Sequence, residues 1–241
     1  MDNANYKAIF FDLDGTLLDL DMDLFLKEYF EGISAFFGSR GYDAKLFFNA
    51  IMAGVKSMTQ EEGGYNYDRY WNTFCALTQE KREEMEPLFL EYYETDFNNI
   101  GKNVTPREEA REILSILKQK HYPLYLTTMP LFPRVAVEKR LGWAGCPMDV
   151  FDRITTYDNS TKTKPYLEYY QENVEKIGVD PSAILMIGNN TKEDLSCMGL
   201  GIDAYLVTDC LLDPIGFDIE TVKHGSLQDL LAFVKALPDC E

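Results

Sequence analysis

Two aspartates, Asp12 and Asp14, stand two residues apart in the string Phe10-Phe11-Asp12-Leu13-Asp14-Gly15-Thr16-Leu17. The apolar run Ala8 to Phe11 before them reads as a strand buried on both faces, and open α/β sheets bind their ligands beyond the C-terminal ends of such strands. Carboxylates gathered there can hold Mg²⁺, and one can attack a phosphoryl group while its neighbour handles the proton. A bare Asp-x-Asp pair more often does no more than cap a turn, and Asp14-Gly15 is turn chemistry. The rest of the chain has to separate the two readings.

The elements that must position such a pair are legible. Short apolar runs recur at Leu124 to Leu126, Ile154 with its threonine neighbours, Ile184 to Ile187 and Ala204 to Val207, each the length of a parallel strand. Helical stripes lie between them. Ala110, Ile113, Leu114 and Leu117 form one, with Thr105 placed to cap it, Pro106 at its first position and Glu108 to complete a capping box. Leu227, Leu230, Leu231, Val234 and Leu237 form another, starting at Ser226. This alternation predicts a doubly wound, Rossmann-like parallel sheet.

Residues 18–103 read differently. They carry helical stripes (Phe25, Tyr29, Ile33, Phe37; then Phe47, Ile51, Val55, Met58; then Tyr67, Tyr70, Trp71, Phe74) and almost no strand pattern. Pro87 is expected to start or kink a fourth segment through Leu88, Phe89 and Tyr92. The expected organisation is an α/β core of residues 1–17 and 104–241, with residues 18–103 an all-helical module inserted after the first strand.

Composition excludes several functions. The 241 residues hold 40 Asp and Glu against 23 Lys and Arg, a formal charge of −17, and no basic stretch suited to nucleic acid or an anionic membrane. The five cysteines form no Cys-x-x-Cys pair and read as reduced thiols, while His121 and His224 lack ligand-spaced partners. With no signal-like N-terminus and no long apolar span, a soluble cytoplasmic protein is expected. Gly199-Leu200-Gly201 reads as a helix-ending turn and not a dinucleotide loop, and Cys197 as a packing residue.

The string around Asp12 resembles the first motif of the haloacid dehalogenase superfamily of phosphohydrolases, four apolar residues followed by Asp-x-Asp-Gly-Thr-Leu. The resemblance continues along most of the chain. Leu124-Tyr125-Leu126-Thr127-Thr128 is similar to the family's second motif, which implies that Thr127 hydrogen-bonds a phosphate oxygen, assisted by the N–H of Thr128. Lys162-Thr163-Lys164-Pro165 looks like the third, with Lys164 the lysine and Lys162 the reserve. An ammonium there offsets the repulsion between a carboxylate nucleophile and a phosphate dianion. Gly188-Asn189-Asn190-Thr191-Lys192-Glu193-Asp194 stands where the family has Gly-Asp and a second Asp a few residues on. Asp194 fits the second acid. The first acid is replaced by Asn189 or Asn190, with Asn190 the preferred register; an amide oxygen can still ligate Mg²⁺, with one charge fewer to attract it.

The resemblance implies a Mg²⁺-dependent hydrolysis of a small phosphorylated metabolite in two steps. Asp12 attacks phosphorus and becomes an aspartyl-phosphate; Asp14 protonates the leaving oxygen and then activates water. Asp12, the backbone carbonyl of Asp14, Asn189 or Asn190, and Asp194 are the implied Mg²⁺ ligands. The helical insertion stands where the family has a cap, and the stretch Gly63-Gly64-Tyr65-Asn66 with Arg69 is its candidate for facing substrate. Two alternatives remain: a sugar phosphomutase, or a phosphometabolite-binding or regulatory protein with a weakened metal site. Asp14 argues against a metal-free dehalogenase, since those relatives lack the second aspartate. Oligomeric state is not readable from the chain.

Overall fold

The computed structural model describes residues 6–60 and 62–240. Its centre is a six-stranded, wholly parallel sheet of β1 (Ala8–Phe11), β2 (Leu124–Leu126), β3 (Arg153–Ile154), β4 (Ile184–Gly188), β5 (Asp203–Val207) and β6 (Lys223–Gly225), in the spatial order β3-β2-β1-β4-β5-β6. β1 lies inside the sheet, between β2 and β4, in the register Phe11 beside Leu126 and Ile187. That placement explains why Ala8 to Phe11 are apolar without alternation, because both faces are covered. Ile9 and Phe11 pack with Ile113, Leu114, Val137 and Leu230, while Ala8 and Phe10 pack on the other side with Tyr169, Tyr170 and Cys197.

Between β1 and β2 the chain forms helices α1 (Met22–Ser39), α2 (Ala44–Gln60), α3 (Asn66–Thr78) and α4 (Arg82–Glu94), a short 3-10 segment at Asp96–Asn103, and then α5 (Glu108–Gln119). The remaining helices are α6 (Arg134–Trp143), α7 (Leu167–Ile177) and α8 (Leu227–Ala236). The stripes expected for α1 and α2 are the faces they bury, with Phe25, Ile33, Phe37, Phe47, Ile51 and Met58 nearly inaccessible. Rings from α1 to α4 form an aromatic cluster distinct from the two that sandwich the sheet, joined by Phe97, Ala136 of α6 and Tyr157. Ser226 caps α8 in a full capping box with Asp229.

Some local expectations are corrected. α5 begins at Glu108, not at Thr105, and no side chain caps it. Pro106 disfavours helix in the residue before it, and Arg107 is held extended with its guanidinium on Asp19 and Asp209, so the first turn forms later. α4 starts at Arg82, ahead of Pro87, and runs through it. β6, α6 and the brevity of β3 were not indicated by apolar runs. The segment Leu195–Leu200 is a 3-10 helix ended by Gly201 in the left-handed region, as a helix-ending turn requires. No helix among the described residues is long and apolar enough to cross a membrane.

Candidate active site

The chain leaves β1 through one last ladder bond, from the N–H of Asp12 to the carbonyl of Ile187 (2.9 Å), which puts Asp12 at the strand's C-terminal end. The carbonyl of Leu13 then collects the N–H groups of Thr16, Leu17 and Leu18 in a tight turn. Gly15 is required twice in that turn: its φ is +81°, and a Cβ there would overlap the Asn189 side-chain amide. Gly188 at the end of β4 is constrained in the same way, because a Cβ would overlap the Asp194 carboxylate.

Lys164 joins the motifs. Its side chain is 1% exposed, and the ammonium donates to Asp12 Oδ1 (2.8 Å) and Asp194 Oδ1 (2.6 Å). It sits on a loop between β3 and α7, with a cis peptide to Pro165. α7 fixes that loop through its first turn, where the Tyr169 hydroxyl donates to the Thr128 carbonyl (2.9 Å) and the Tyr170 hydroxyl to that of Glu193 (3.0 Å). Burial works against the lysine's charge, yet the Asp12 and Asp194 carboxylates hold its pKa well above the usual value. Burial raises the Asp12 carboxyl, with Asp194 and Asp14 adding repulsion and Lys164 pulling the other way. Asp14 is raised by burial too, against the pull of Arg140 and Lys164.

The structure differs from the sequence reading over which threonine offers its hydroxyl. Thr127 Oγ1 donates to the Phe11 carbonyl (3.3 Å) and lies against the sulfur of Met186, so it is spent inside the sheet. Thr128 Oγ1 is buried without a hydrogen-bond partner. Asp194 is used differently as well. Besides accepting from Lys164, it receives the N–H groups of Asn189 (3.0 Å) and Asn190 (2.9 Å) on Oδ2, so it organises the loop and neither oxygen is uncommitted.

The two asparagines separate. Asn190 turns its Oδ1 back onto the N–H groups of Lys192 and Glu193, capping the turn, which is the opposite of the register preferred from sequence. Asn189 is the one packed against Gly15, accepting from Thr16 Oγ1 (3.2 Å) and donating to the Cys210 carbonyl (2.7 Å).

Arg140 carries no sequence signal, yet its guanidinium is buried and paired with the Asp14 carboxylate. Within the stretch expected to face substrate, Gly63, Gly64 and Tyr65 are exposed while Asn66 and Arg69 turn inward. Asn66 and Arg69 are buried, and they donate to carbonyls of Pro130, Lys162 and Thr161, tying α3 to the loops that carry the site.

Among the described residues no group of three Asp, Glu, His or Cys side chains stands ready to hold a metal ion. The oxygens that remain are hard donors of the kind Mg²⁺ takes. Asp12 Oδ2 lies outside the Lys164 contact, and Asp14 Oδ1 is buried with no partner. A hard cation is a chemical fit to Asp12 Oδ2 with the backbone carbonyl of Asp14 and the amide oxygen of Asn189, but not to Asp194, whose two oxygens are committed.

Beside the cleft, α1 to α4 and the segment Leu131 to Pro133 enclose a cavity of about 300 Å³ with an almost wholly apolar lining. Phe132 belongs to its wall and also receives the Arg140 guanidinium, 4.5 Å from the ring centroid.

The segments that follow β1, β3 and β4 thus bring a carboxylate pair, a buried ammonium and Asp194, with the Asn189 and Asn190 N–H groups on it, to one place. The model of the haloacid dehalogenase-like hydrolases matches residues 6–197, and the chain belongs to that family. It is a phosphatase-like member. It is similar to glyceraldehyde 3-phosphate phosphatase of Methanothermobacter thermautotrophicus (26% identical, covering 83% of this chain and 85% of the relative). It is also similar to pyrophosphatase PpaX of Bacillus velezensis (26% identical, covering 79% and 77%). A HAD phosphatase from Thermococcus onnurineus shares the fold, with a TM-score of 0.59 at 19% identity over 97% of this chain and 99% of that one.

Proposed function

We propose that the protein hydrolyses a small phosphomonoester through an aspartyl-phosphate on Asp12. The observation that carries the reading is the buried Lys164 ammonium, bonded to Asp12 through one oxygen and leaving the other unengaged at the end of β1. A phosphate dianion approaching a carboxylate meets repulsion, and a chain of net charge −17 adds to it. Lys164 offsets that locally and pins Asp12 in one orientation for in-line attack. In this reading Thr128 Oγ1, buried without a partner, donates to a phosphoryl oxygen, while the Thr127 hydroxyl bonds to the Phe11 carbonyl. Asp14 protonates the departing oxygen and, once deprotonated, draws the proton from the water that opens the acyl phosphate.

Asp12, the Asp14 backbone and Asn189 are the residues that would hold Mg²⁺. The chemistry expected of the ion is neutralisation of charge on the phosphoryl oxygens. The helices between β1 and α5 serve as the cap, covering the strand ends and excluding bulk water. The aromatic cavity beneath them suits a leaving group with a ring or a short hydrocarbon portion.

A screen of phosphorylated metabolites with and without Mg²⁺, run beside Asp12→Asn, tests the reading. Turnover of at least one monoester, lost in the variant, is expected; a folded protein inactive across the panel overturns it. The engagement of both asparagine side chains favours one second reading, a phosphometabolite-binding protein, whose mark is a bound phosphoester that is never turned over at any Mg²⁺ concentration.

A further inference from the structure

Arg140 is among the largest fully buried side chains of the described residues, with its side chain 1% exposed. A charge so placed persists only with a partner, and its partners are few. Nη1 meets Asp14 Oδ2, Nε reaches the carbonyl of Ala136 in its own helix (3.3 Å), the plane lies over Phe132, and Nη2 has no partner. The contrast with Arg69 is instructive. Arg69 spreads its N–H groups over carbonyls of Met58, Gly63, Gly64 and Thr161, as a residue that ties segments together does. Arg140 reaches one carboxylate, and that carboxylate belongs to the Asp-x-Asp pair.

Each aspartate of the pair therefore has its own buried cation, Lys164 on Asp12 and Arg140 on Asp14. The guanidinium holds one oxygen of Asp14 and leaves Oδ1 buried and unpaired. A carboxyl group that must hand a proton to a leaving oxygen needs one oxygen anchored and the other presented in a fixed direction. Phe132 and the backbone of α6 in turn fix the guanidinium, since the ring faces it and Ala136 binds its Nε.

Resting on the phosphatase reading above, we propose that Arg140 is the positioning residue for Asp14, aiming its free oxygen at the leaving group. Arg140 itself exchanges no proton. Its effect is confined to the step in which the ester oxygen departs, and it scales with how much that oxygen needs a proton.

Leaving-group dependence isolates that effect. kcat/KM is measured for glycerol phosphate, whose alkoxide must be protonated, and for dinitrophenyl phosphate, whose phenolate leaves unaided. Both transfer the same phosphoryl group, and kcat/KM ends with departure of the leaving group. Arg140→Ala is expected to lower kcat/KM for the alkyl ester by about 100-fold and for the aryl ester by less than about tenfold. In an Asp14→Asn background the same change is expected to add little on the alkyl ester, because the group it aims is already disabled. Arg140→Lys, which keeps the charge but not the planar fork, is expected to fall between, and it serves as the test if the alanine variant does not fold. Equal losses on the two esters, or no loss on either, overturn the proposal while leaving the phosphatase reading intact. A wild-type protein inactive on both esters sinks that reading, and this one with it.

Discussion

The cleft at the strand ends and the helical layer of α1 to α4 both have buried interiors, but they are buried by opposite means. In the cleft a few charged side chains each answer to one or two named atoms: Lys164 to Asp12 and Asp194, Arg140 to Asp14. In the helical layer rings fill volume. Phe74 alone contacts Phe47, Tyr70, Trp71 and Phe89, none through a polar atom. The difference predicts what each region tolerates, because removing half of a charge pair strands the other half, whereas removing half of a ring pair leaves a gap.

The sharpest break of that contrast lies within the cleft. Asp12→Asn is expected to reduce turnover by at least about 10⁴-fold, as loss of a nucleophile does. It should leave the melting temperature unchanged or higher, because burial already disfavours the charged carboxyl and Lys164 keeps Asp194. Lys164→Met is expected to lose activity and also about 3–5 kcal/mol of stability, since two buried carboxylates lose their cation together. Kinetics and thermal melts on both variants decide it; equal melting temperatures would mean that the lysine contributes nothing to the fold.

Phe74→Ala in the helical layer is expected to cost a similar 3–5 kcal/mol or so by cavity formation. Its kcat, measured well below the new melting point, should change little. Phe74→Leu should cost less, since most of the volume survives. If Phe74→Leu destabilised as much as Lys164→Met, the layer would depend on ring geometry and not on filling.

How far the sequence discloses each region follows from the same contrast. Volume-filling stripes repeat at helical spacing, so α1 to α4 were visible in advance, and so were the strands flanking β1. In the cleft the four motif segments were visible, but their atomic assignments were not. Adjacent Thr127 and Thr128 point to opposite faces of a strand end, and only the neighbours Phe11 and Met186 decide which hydroxyl is spent. Asn189 and Asn190 pose the same ambiguity, resolved by the contact with Gly15 and the cap on Lys192 and Glu193. Arg140 was invisible because its partner is 126 positions away, and one arginine on a helix ordinarily reads as a solvated charge.

A finer probe of the cleft exchanges amide for acid. Asn190→Asp keeps the oxygen that caps the turn and adds a charge at the loop, so the fold should be unaffected. If the protein uses Mg²⁺, the half-saturating concentration should fall by roughly tenfold. Asn189→Asp loses the donor to the Cys210 carbonyl and sets a carboxylate against it, at a cost of about 1–3 kcal/mol. Metal titrations and melts of the pair separate charge from hydrogen bonding. An unstable Asn190→Asp variant beside a stable Asn189→Asp variant would reverse the assignment of the two side chains.

The smallest effect lies at the start of β5, where Asp203 accepts from Tyr6 and pairs with Lys223 on β6. Burial alone would raise this carboxyl, but the bonds from Lys223 and Tyr6 outweigh it and hold Asp203 below the ordinary carboxylate value. A group whose folded pKa is depressed binds its proton less readily in the native state. Its contribution is therefore complete above the unfolded value near about 3.9, and it is lost as pH falls through the lower folded value. Because the pair is partly exposed and screened by salt, the contribution is under about 1 kcal/mol. The melting temperatures of wild type and Asp203→Asn should differ slightly at pH 7 and converge in acid. The Lys164→Met deficit should instead be largest where the Asp12 carboxyl, raised by burial, is ionised. A gap for Asp203→Asn that widened as pH fell would show that shape, and not charge, is what Asp203 supplies at the sheet edge.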